Sequence, residues 1–400
     1  MTSPRAWQRP GLRTDEEFDR HRPVSWLELF FDLVFVVVIA RLAHRLTEHL
    51  DGGGVVTFAV EFLAIFWAWN AFTYYTERFE SAGLENRAFT FLAFIPVAGL
   101  AVFAENGLGE NYAGFATAYL LARGLNQASW LRACVHVAAF RPTGLRFVVG
   151  YLIAVVLILA SVPFDGAPRV ALFTLAVLVE IVTPSFTVAH QSKLPQLSTS
   201  KFPERFGLLT MIVLGEAVSD VVLELSALQD HHELHGAGIV TGILGLGLVF
   251  GLWWIYFDFV ARRAPKPVFA IALSWVYLHL VTLAAITMTG VGVGVAVAGT
   301  VTGGLPASTR VAVVGGVVLG LGGIAALQTT LTRGPDEPTH ARLSPALKVG
   351  VAVVVGVLGL LDLGWNATAL LVLLLAGLAV PMTYGAYVWY HARRWLPATT

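Results

Sequence analysis

Apolar stretches long enough to cross a membrane follow one another along almost the whole chain, separated by short segments rich in Gly, Pro and charged residues. An α-helix rises about 1.5 Å per residue, so about 20 apolar residues span a hydrocarbon core of about 30 Å. The pattern predicts twelve spans, near residues 26–46, 55–75, 88–105, 112–134, 145–162, 168–190, 204–226, 237–260, 268–290, 308–331, 346–362 and 367–390. The glycine-rich run 290–304 either extends the ninth span or forms a turn. We therefore predict an all-α fold, a polytopic transmembrane helix bundle.

Similar residues recur in the two halves of this series. Glu28 opens the first span and Glu204 opens the seventh, each two residues before a phenylalanine, and Pro184 in the sixth span has a counterpart in Pro381 of the twelfth. Each half has an even number of spans, so we predict two parallel six-helix repeats related by an axis along the membrane normal. The predicted organisation is an N-terminal tail at 1–24, a first repeat at 25–192, a linker at 193–203, a second repeat at 204–391 and a C-terminal tail at 392–400.

Most of the 26 Lys and Arg residues fall in the N-terminal tail, in alternate loops and at the C-terminus, on one predicted side of the membrane. They include Arg5, Arg9, Arg13, Arg20 and Arg22 in the first tail, Lys201, Arg205, Arg262 and Lys348 at or near later loops, and Arg393 and Arg394 at the end. Cytoplasmic loops of membrane proteins are enriched in these residues. The N-terminal segment has no apolar core typical of a signal peptide. We expect a protein of the cytoplasmic membrane with both termini in the cytoplasm.

Composition excludes a soluble domain. Hydrophobic residues make up 56% of the chain and charged residues 13%, with a mean hydropathy of +0.71, which leaves too little polar surface to cover so apolar a core. The formal net charge is zero, which argues against a nucleic-acid partner. The sequence contains no phosphate-binding loop, nucleophile elbow or HExxH motif, and we assign no catalytic, cofactor-binding or metal-binding residue.

Charged and polar residues nevertheless occur inside the predicted spans, where ionised groups are expensive and are usually paired or functional. Sorted by distance from the span ends, they form three layers. The cytoplasmic layer holds Glu28, Asp32, Asn70 and Asp258, with Arg78, Arg205 and Arg263 as available partners. The middle layer holds Arg123, Glu180, Glu216 and His279, and the outer layer holds Arg41, His44, Glu61 and Asp220. We predict that these residues line a polar or ion-binding interior.

The fourth span carries a polar and aromatic stripe along one helix face, formed by Tyr119, Arg123, Asn126, Gln127 and Trp130. Such a stripe is incompatible with lipid contact. One interpretation places Arg123 at a cavity, where it meets Glu180 or Glu216 and forms a site for an ion or polar solute. The other is a buried ion pair that fixes the register of the helices.

Four further residues are candidates for a functional role. Glu28 and Asp32 form either a carboxylate pair, which binds a cation or shares a proton, or caps of the first helical turn. The capping role suits Glu28. The functional role suits Asp32, which lies one turn deeper. Glu216 is our first choice for a protonatable or cation-coordinating residue, and Gly215 beside it predicts close helix approach. His279 is either a hydrogen-bonded core histidine or a proton carrier.

Two segments resemble a known family. The run Glu28–Val36, ELFFDLVFV, followed by His44, is similar to the N-terminal signature of the bacterial low temperature requirement protein A (LtrA) family, and ERFG at 204–207 with LGE at 214–216 resembles its second characteristic segment. The resemblance implies a multi-pass membrane protein linked by name to growth in the cold. Family members often have a Gln in span one where this chain has Arg41. The first motif, with Asp32, is more distantly similar to that of duplicated six-helix lysosomal potassium channels.

These observations favour a secondary transporter or permease with a polar midplane site. Its expected partners are the lipid bilayer and a small solute or cation, with coupling to protons as one form. A cation channel is the second hypothesis, and an intramembrane enzyme acting on a lipid or isoprenoid ranks below it. A structural or sensory membrane protein is the fourth.

Overall fold

A computed structural model describes residues 9–12, 24–79, 83–261, 263–301, 304–334, 337–361 and 363–395. Over these residues the chain is helical without a strand, and a single bridge joins Pro265 and Leu331. The predicted all-α class is confirmed. Most of the two predicted tails lies outside the described residues, including Arg5, Arg13, Arg20 and Arg22, as do Arg262 and the side chains of Arg393 and Arg394.

The described residues form thirteen α-helices, of which all but the single-turn α7 are long. They are α1 (Trp26–Glu48), α2 (Gly52–Arg78), α3 (Leu84–Phe103), α4 (Tyr112–His136), α5 (Arg141–Ser161), α6 (Ala167–Val182), α7 (Val188–Gln191), α8 (Lys201–Asp230), α9 (Gly236–Tyr256), α10 (Phe269–Ala298), α11 (Ala307–Thr330), α12 (Leu343–Leu360) and α13 (Ala367–Trp395). A 3-10 segment, Thr183–Thr187, joins α6 to α7, and a π-helical segment, Phe257–Ala261, extends α9.

Ten of the long helices in the described part of the chain are apolar enough to cross a membrane. The two others, α1 and α4, have 23 and 25 residues and are long enough to do so. Both helices carry ionisable residues, among them Asp32 and Arg41 in α1 and Arg123 in α4. These two helices also carry more than half of the candidate site residues.

The glycine-rich run extends the ninth span as far as Ala298, which is the first of the two alternatives, and a turn follows at 299–301. Helix α10 continues through Gly290 and Gly294 to Ala298, although glycine is a weak helix former. A Cβ atom on Gly290 would lie 2.5 Å from the Cβ of Ala217 on α8, and one on Gly294 would lie 3.4 Å from Cγ of Glu224. The glycines therefore permit a close helix contact that stabilises this end of α10.

The chain divides into two compact units: Met1–Arg45, Gly53–Arg205 and Pro267–Leu273 form the first, and Leu46–Gly52, Phe206–Lys266 and Ser274–Thr400 form the second. In the first unit, α3, α4, α5 and α6 pack in sequential pairs; in the second, α12 packs on α11 and α13, and α13 packs on α9. The division falls between Arg205 and Phe206. The repeat relationship between the halves stays a prediction.

Candidate functional site

Four charged side chains meet in the first unit, and we call them the charged cluster: Glu28, Asp32, Lys201 and Arg205. Lys201 Nζ lies 3.0 Å from Glu28 Oε1, and Arg205 Nη2 lies 2.5 Å from Asp32 Oδ1. Arg205 Nη1 lies 3.6 Å from Glu28 Oε1, so the arginine contacts both carboxylates. All four residues are buried. Two acids face two bases, so the charged cluster has no net charge.

Local rules at two helix N-termini explain this arrangement. Ser25 donates to Glu28 Oε2 from its backbone N (3.0 Å) and its hydroxyl (2.9 Å), and Glu28 N donates to Ser25 Oγ, which is a capping box. Asp32 follows one turn later on the same face of α1. At the start of α8, Ser198 Oγ accepts from the backbone N of Lys201 at 3.1 Å. Because Lys201 and Arg205 are also four residues apart, matching faces of the two helices present two acids and two bases.

Helix α2 completes the surroundings of Asp32. Trp69 Nε1 donates to Asp32 Oδ1 at 2.8 Å, and Arg205 Nη1 donates to Thr76 Oγ1 at 3.1 Å. The Arg205 guanidinium also lies over the Trp69 ring, 5.6 Å from its centroid, in a cation–π contact. One face of α2 thus holds the Asp32–Arg205 pair in place.

Some buried oxygen atoms in and beside the charged cluster have no hydrogen-bond partner among the described residues. Asp32 Oδ2 is buried and accepts no hydrogen bond from a described residue. The same holds for Oγ1 of Thr73, one turn from Trp69 on the same face of α2, and for Oδ1 of Asn70. A buried polar atom without a partner costs about 1–3 kcal/mol, so such atoms mark places that take water, a proton or a polar ligand.

A buried ion pair outside the charged cluster joins α4 to α6, also in the first unit. Arg123 donates to Glu180 Oε1 from Nε at 3.0 Å and from Nη2 at 2.9 Å. Tyr119 donates to Glu180 Oε2 at 2.5 Å, while Asn126 Oδ1 accepts from Arg123 Nη1 and from Trp130 Nε1. Asn126 Nδ2 in turn donates to the carbonyl of Ala71 on α2. The structure therefore brings Arg123 to Glu180 and fills both carboxylate oxygens.

The remaining polar residues of the first unit have separate roles. Glu61 is fully buried and accepts from the backbone N of Leu108 at 3.1 Å, which ties α2 to the turn before α4. Arg41 pairs with Glu105 at 2.5 Å, and this pair is exposed, as is His44. Gln127 is buried beside the Arg123 stripe, and its Oε1 has no hydrogen-bond partner among the described residues.

In the second unit, His279 is a fully hydrogen-bonded core histidine. Its Nδ1 donates to the Trp275 carbonyl, and its Nε2 accepts from the Tyr256 hydroxyl, both at 2.9 Å. The rings of Phe206 and Trp275 pack against the imidazole at 4.8 Å and 4.1 Å. Both ring nitrogens are therefore engaged, and the side chain is completely buried.

Helix α8 carries a row of carboxylates in the second unit: Glu216, Asp220 and Glu224, four residues apart. Glu216 is half-buried and forms no hydrogen bond with a described residue, and Asp220 Oδ2 likewise has none. The expected helix approach at Gly215 is wrong, because a Cβ there would meet nothing within 4 Å. The close approach comes instead from the glycines of α10. Sequence reasoning did not include Glu224 in this row.

A buried lysine was also missed. Lys348 was counted with the loop cations, but it lies in the second turn of α12 and is fully buried. Its Nζ donates to Gln328 Oε1 at 3.0 Å and to Ser344 Oγ at 2.9 Å, and it lies 3.5 Å from the centroid of the Phe259 ring. The partners that hold this ammonium are thus neutral oxygens and an aromatic face.

The π-helical segment after α9 holds Asp258, whose Oδ2 accepts from Trp254 Nε1 at 2.7 Å. In the loop that follows, Arg263 pairs with Glu337. Burial lowers the pKa of the Arg263 guanidinium from its ordinary value, and the charge of Glu337 opposes that change. Over the described residues, no group of three or more His, Cys, Asp or Glu side chains could hold a metal ion.

Ten apolar helices, together with ion pairs buried in the first unit, define a multi-pass helical membrane protein. The chain belongs to the bacterial low temperature requirement A protein (LtrA) family, whose model matches residues 23–382. No curated protein and no solved structure matches the chain. The two segments that resemble the family meet in the charged cluster, because Glu28 and Asp32 come from the first and Arg205 from the second.

Proposed function

We propose that this protein is a secondary transporter, a permease of the cytoplasmic membrane, in which the charged cluster couples movement of a small polar solute to a proton or cation. The observation that carries the proposal is the asymmetry of Asp32. One of its oxygens accepts from Arg205 and Trp69, whereas the other is buried without a partner. A proton or a small cation fits the second oxygen.

The energetics of burial support a functional role. Removing each ion from water costs several kcal/mol, and apolar packing of the same volume is often equally stable or more so. A bundle that needed stability alone would gain little from four buried charges. A balanced network can, however, respond to a single added charge. A proton on Asp32 would leave the charged cluster with one excess positive charge and would weaken the ion pair between Asp32 and Arg205.

The other hypotheses fit these contacts less well. A cation channel needs a carboxylate that faces a water-filled route, but two basic side chains hold both carboxylates of the charged cluster. An intramembrane enzyme needs an apolar cavity that leads to a carboxylate. One groove among the described residues, between α5 and α6, is apolar, but it is lined by Arg146 rather than by an acid.

We further propose that the two halves are repeats and that both termini are cytoplasmic. The enrichment of Lys and Arg in alternate loops supports this sidedness. Reporter fusions after Lys193 and after Glu233 would test it. The first fusion should report the cytoplasm and the second the opposite side, and the reverse pattern would contradict the topology.

The transport proposal is tested with purified protein in proteoliposomes that contain a pH-sensitive dye. A panel of amino acids, sugars, organic acids, polyamines and monovalent cations is added, with and without an imposed proton gradient. We expect at least one solute to drive proton movement with the wild type, and Asp32→Asn to reduce that movement at least tenfold. Glu204→Gln is the matched control, because Glu204 lies one residue before Arg205 and is exposed.

Equal proton movement for wild type and Asp32→Asn would overturn the assignment of Asp32. Unitary currents in planar bilayers, far above the turnover of a transporter, would identify a channel instead. Hydrolysis or transfer of an added lipid without net solute movement would identify an enzyme.

A further inference from the structure

We propose that the groove between α5 and α6 binds one anionic glycerophospholipid, with an acyl chain along the groove and the phosphate at Arg146. The groove has a volume of about 630 Å³, and hydrophobic side chains from one face of each helix form most of its lining. Several of these side chains are about half exposed, among them Val149, Ile153 and Leu178. A cavity of this size is in the range that ordered ligands occupy in proteins.

The local sequence explains why a groove forms here. Gly150 faces Thr183, and a Cβ on the glycine would lie 2.3 Å from Thr183 Oγ1, so the two helices are in close contact at this point. At Thr183 the backbone changes to the 3-10 segment that contains Pro184, which interrupts the α-helical course of α6. Phe186, on that segment, lines the groove and is largely exposed.

The length of the groove matches one leaflet of a bilayer. Its lining on α5 extends from Pro142 to Ile153, which is about 16 Å at about 1.5 Å per residue. Half of a hydrocarbon core of about 30 Å is about 15 Å. An extended acyl chain can therefore lie along α5 within its own leaflet.

The charge at one end selects the head group. Arg146 Nη1 donates to the Pro142 carbonyl at 2.7 Å, so the guanidinium is directed back towards the first turn of α5. Arg146 is exposed and forms no ion pair with a described residue. An unneutralised arginine at the end of an apolar groove between membrane helices fits a lipid phosphate, to which it donates charge-assisted hydrogen bonds.

Native mass spectrometry of the full-length protein tests this inference. The protein is delipidated in detergent and titrated with phosphatidylglycerol or, separately, with phosphatidylcholine. We expect one phosphatidylglycerol to bind at least tenfold more tightly than phosphatidylcholine. Arg146→Gln should reduce that affinity about tenfold, and Arg146→Lys should restore part of it. Ile153→Trp, which fills the groove, should remove the tight site.

Two matched controls separate this site from general lipid contact. Arg87→Gln removes an exposed arginine at the start of α3, and Leu152→Trp enlarges an equally exposed neighbour that does not line the groove. Both should bind phosphatidylglycerol as the wild type does. Equal binding of the two lipids by the wild type would overturn the proposal, as would unchanged binding in Arg146→Gln or an equal loss in the controls. Arg146 is exposed, so its variants remain informative even where Ile153→Trp does not fold.

Discussion

Substitution of Arg205 by methionine should strongly destabilise the first unit, because it leaves two buried carboxylates with one base. Arg205 Nη2 lies 2.5 Å from Asp32 Oδ1, so the charge centres are about 4 Å apart, and at an effective dielectric constant of about 20 their attraction is ~4 kcal/mol. Removal of one partner of a buried pair costs about 3–5 kcal/mol, in agreement with that figure. At about 2 °C per kcal/mol, the melting temperature in detergent should fall by roughly 6–10 °C.

The exposed pair between Arg41 of α1 and Glu105 provides the control. Arg41 also lies 2.5 Å from its partner, Glu105, but these side chains are 41% and 58% exposed, against 2% and 1% for Arg205 and Asp32. Exposed pairs contribute about 0–1 kcal/mol, so Arg41→Met should change the melting temperature by about 2 °C or less. The two substitutions therefore compare a buried with an exposed ion pair at the same N–O distance, so a difference in melting temperature reports the effect of burial.

A double-mutant cycle then tests charge balance. Asp32→Asn alone leaves two bases with one acid, and Arg205→Met alone leaves two acids with one base. The double variant retains one of each, Glu28 and Lys201, which lie 3.0 Å apart. We expect it to be more stable than the sum of the single losses predicts, by about 1–3 kcal/mol. Additive losses, or equal effects of Arg205→Met and Arg41→Met, would refute the description of the charged cluster as a coupled, balanced network.

Two further predictions concern the second unit. Gly290→Val should lower the melting temperature by several degrees, because its Cβ would lie 2.5 Å from the Cβ of Ala217. Gly322→Val is the control, because a Cβ at Gly322 would meet nothing within 4 Å. Equal effects of the two substitutions would contradict the close packing of α8 and α10. Lys348→Met should leave the melting temperature unchanged or raise it, because Gln328 and Ser344 already hydrogen-bond each other at 3.0 Å and can keep this bond when the ammonium is removed. A fall of more than about 5 °C would show that the ammonium is needed for stability.

The fold could be predicted because the length of an apolar stretch is a local property of the sequence. The predicted first span, 26–46, lies within the helix Trp26–Glu48, and the predicted fourth span, 112–134, lies within Tyr112–His136. The prediction left two alternatives open at the end of α10, a helix or a turn, because glycine has a low helix propensity. Contacts with α8, which no local pattern reveals, allow that segment to stay helical.

The charged cluster could be predicted only in part. Glu28 and Asp32 were recognisable from their spacing, and Arg205 was named as an available partner for the cytoplasmic layer. Lys201 was assigned to a loop, because its pairing with Glu28 depends on tertiary contact between residues that are far apart in the sequence. The spacing of Lys201 and Arg205, identical to that of Glu28 and Asp32, was the available signal. For Lys348, the position near a loop favoured exposure, and only the packing of α12 against α11 shows its burial.

The Arg123–Glu180 pair and the charged cluster differ in whether a buried carboxylate oxygen is left without a hydrogen-bond partner. In the Arg123–Glu180 pair, both carboxylate oxygens accept hydrogen bonds, from the arginine and from Tyr119, so a proton or cation would have to displace an existing partner. In the charged cluster, Asp32 keeps one buried oxygen without a partner, so a proton can add without breaking a bond first. The first arrangement suits a fixed contact between α4 and α6. The second suits a group that changes its charge during a cycle, which is why the proposed function gives coupling to Asp32 and leaves helix register to Arg123.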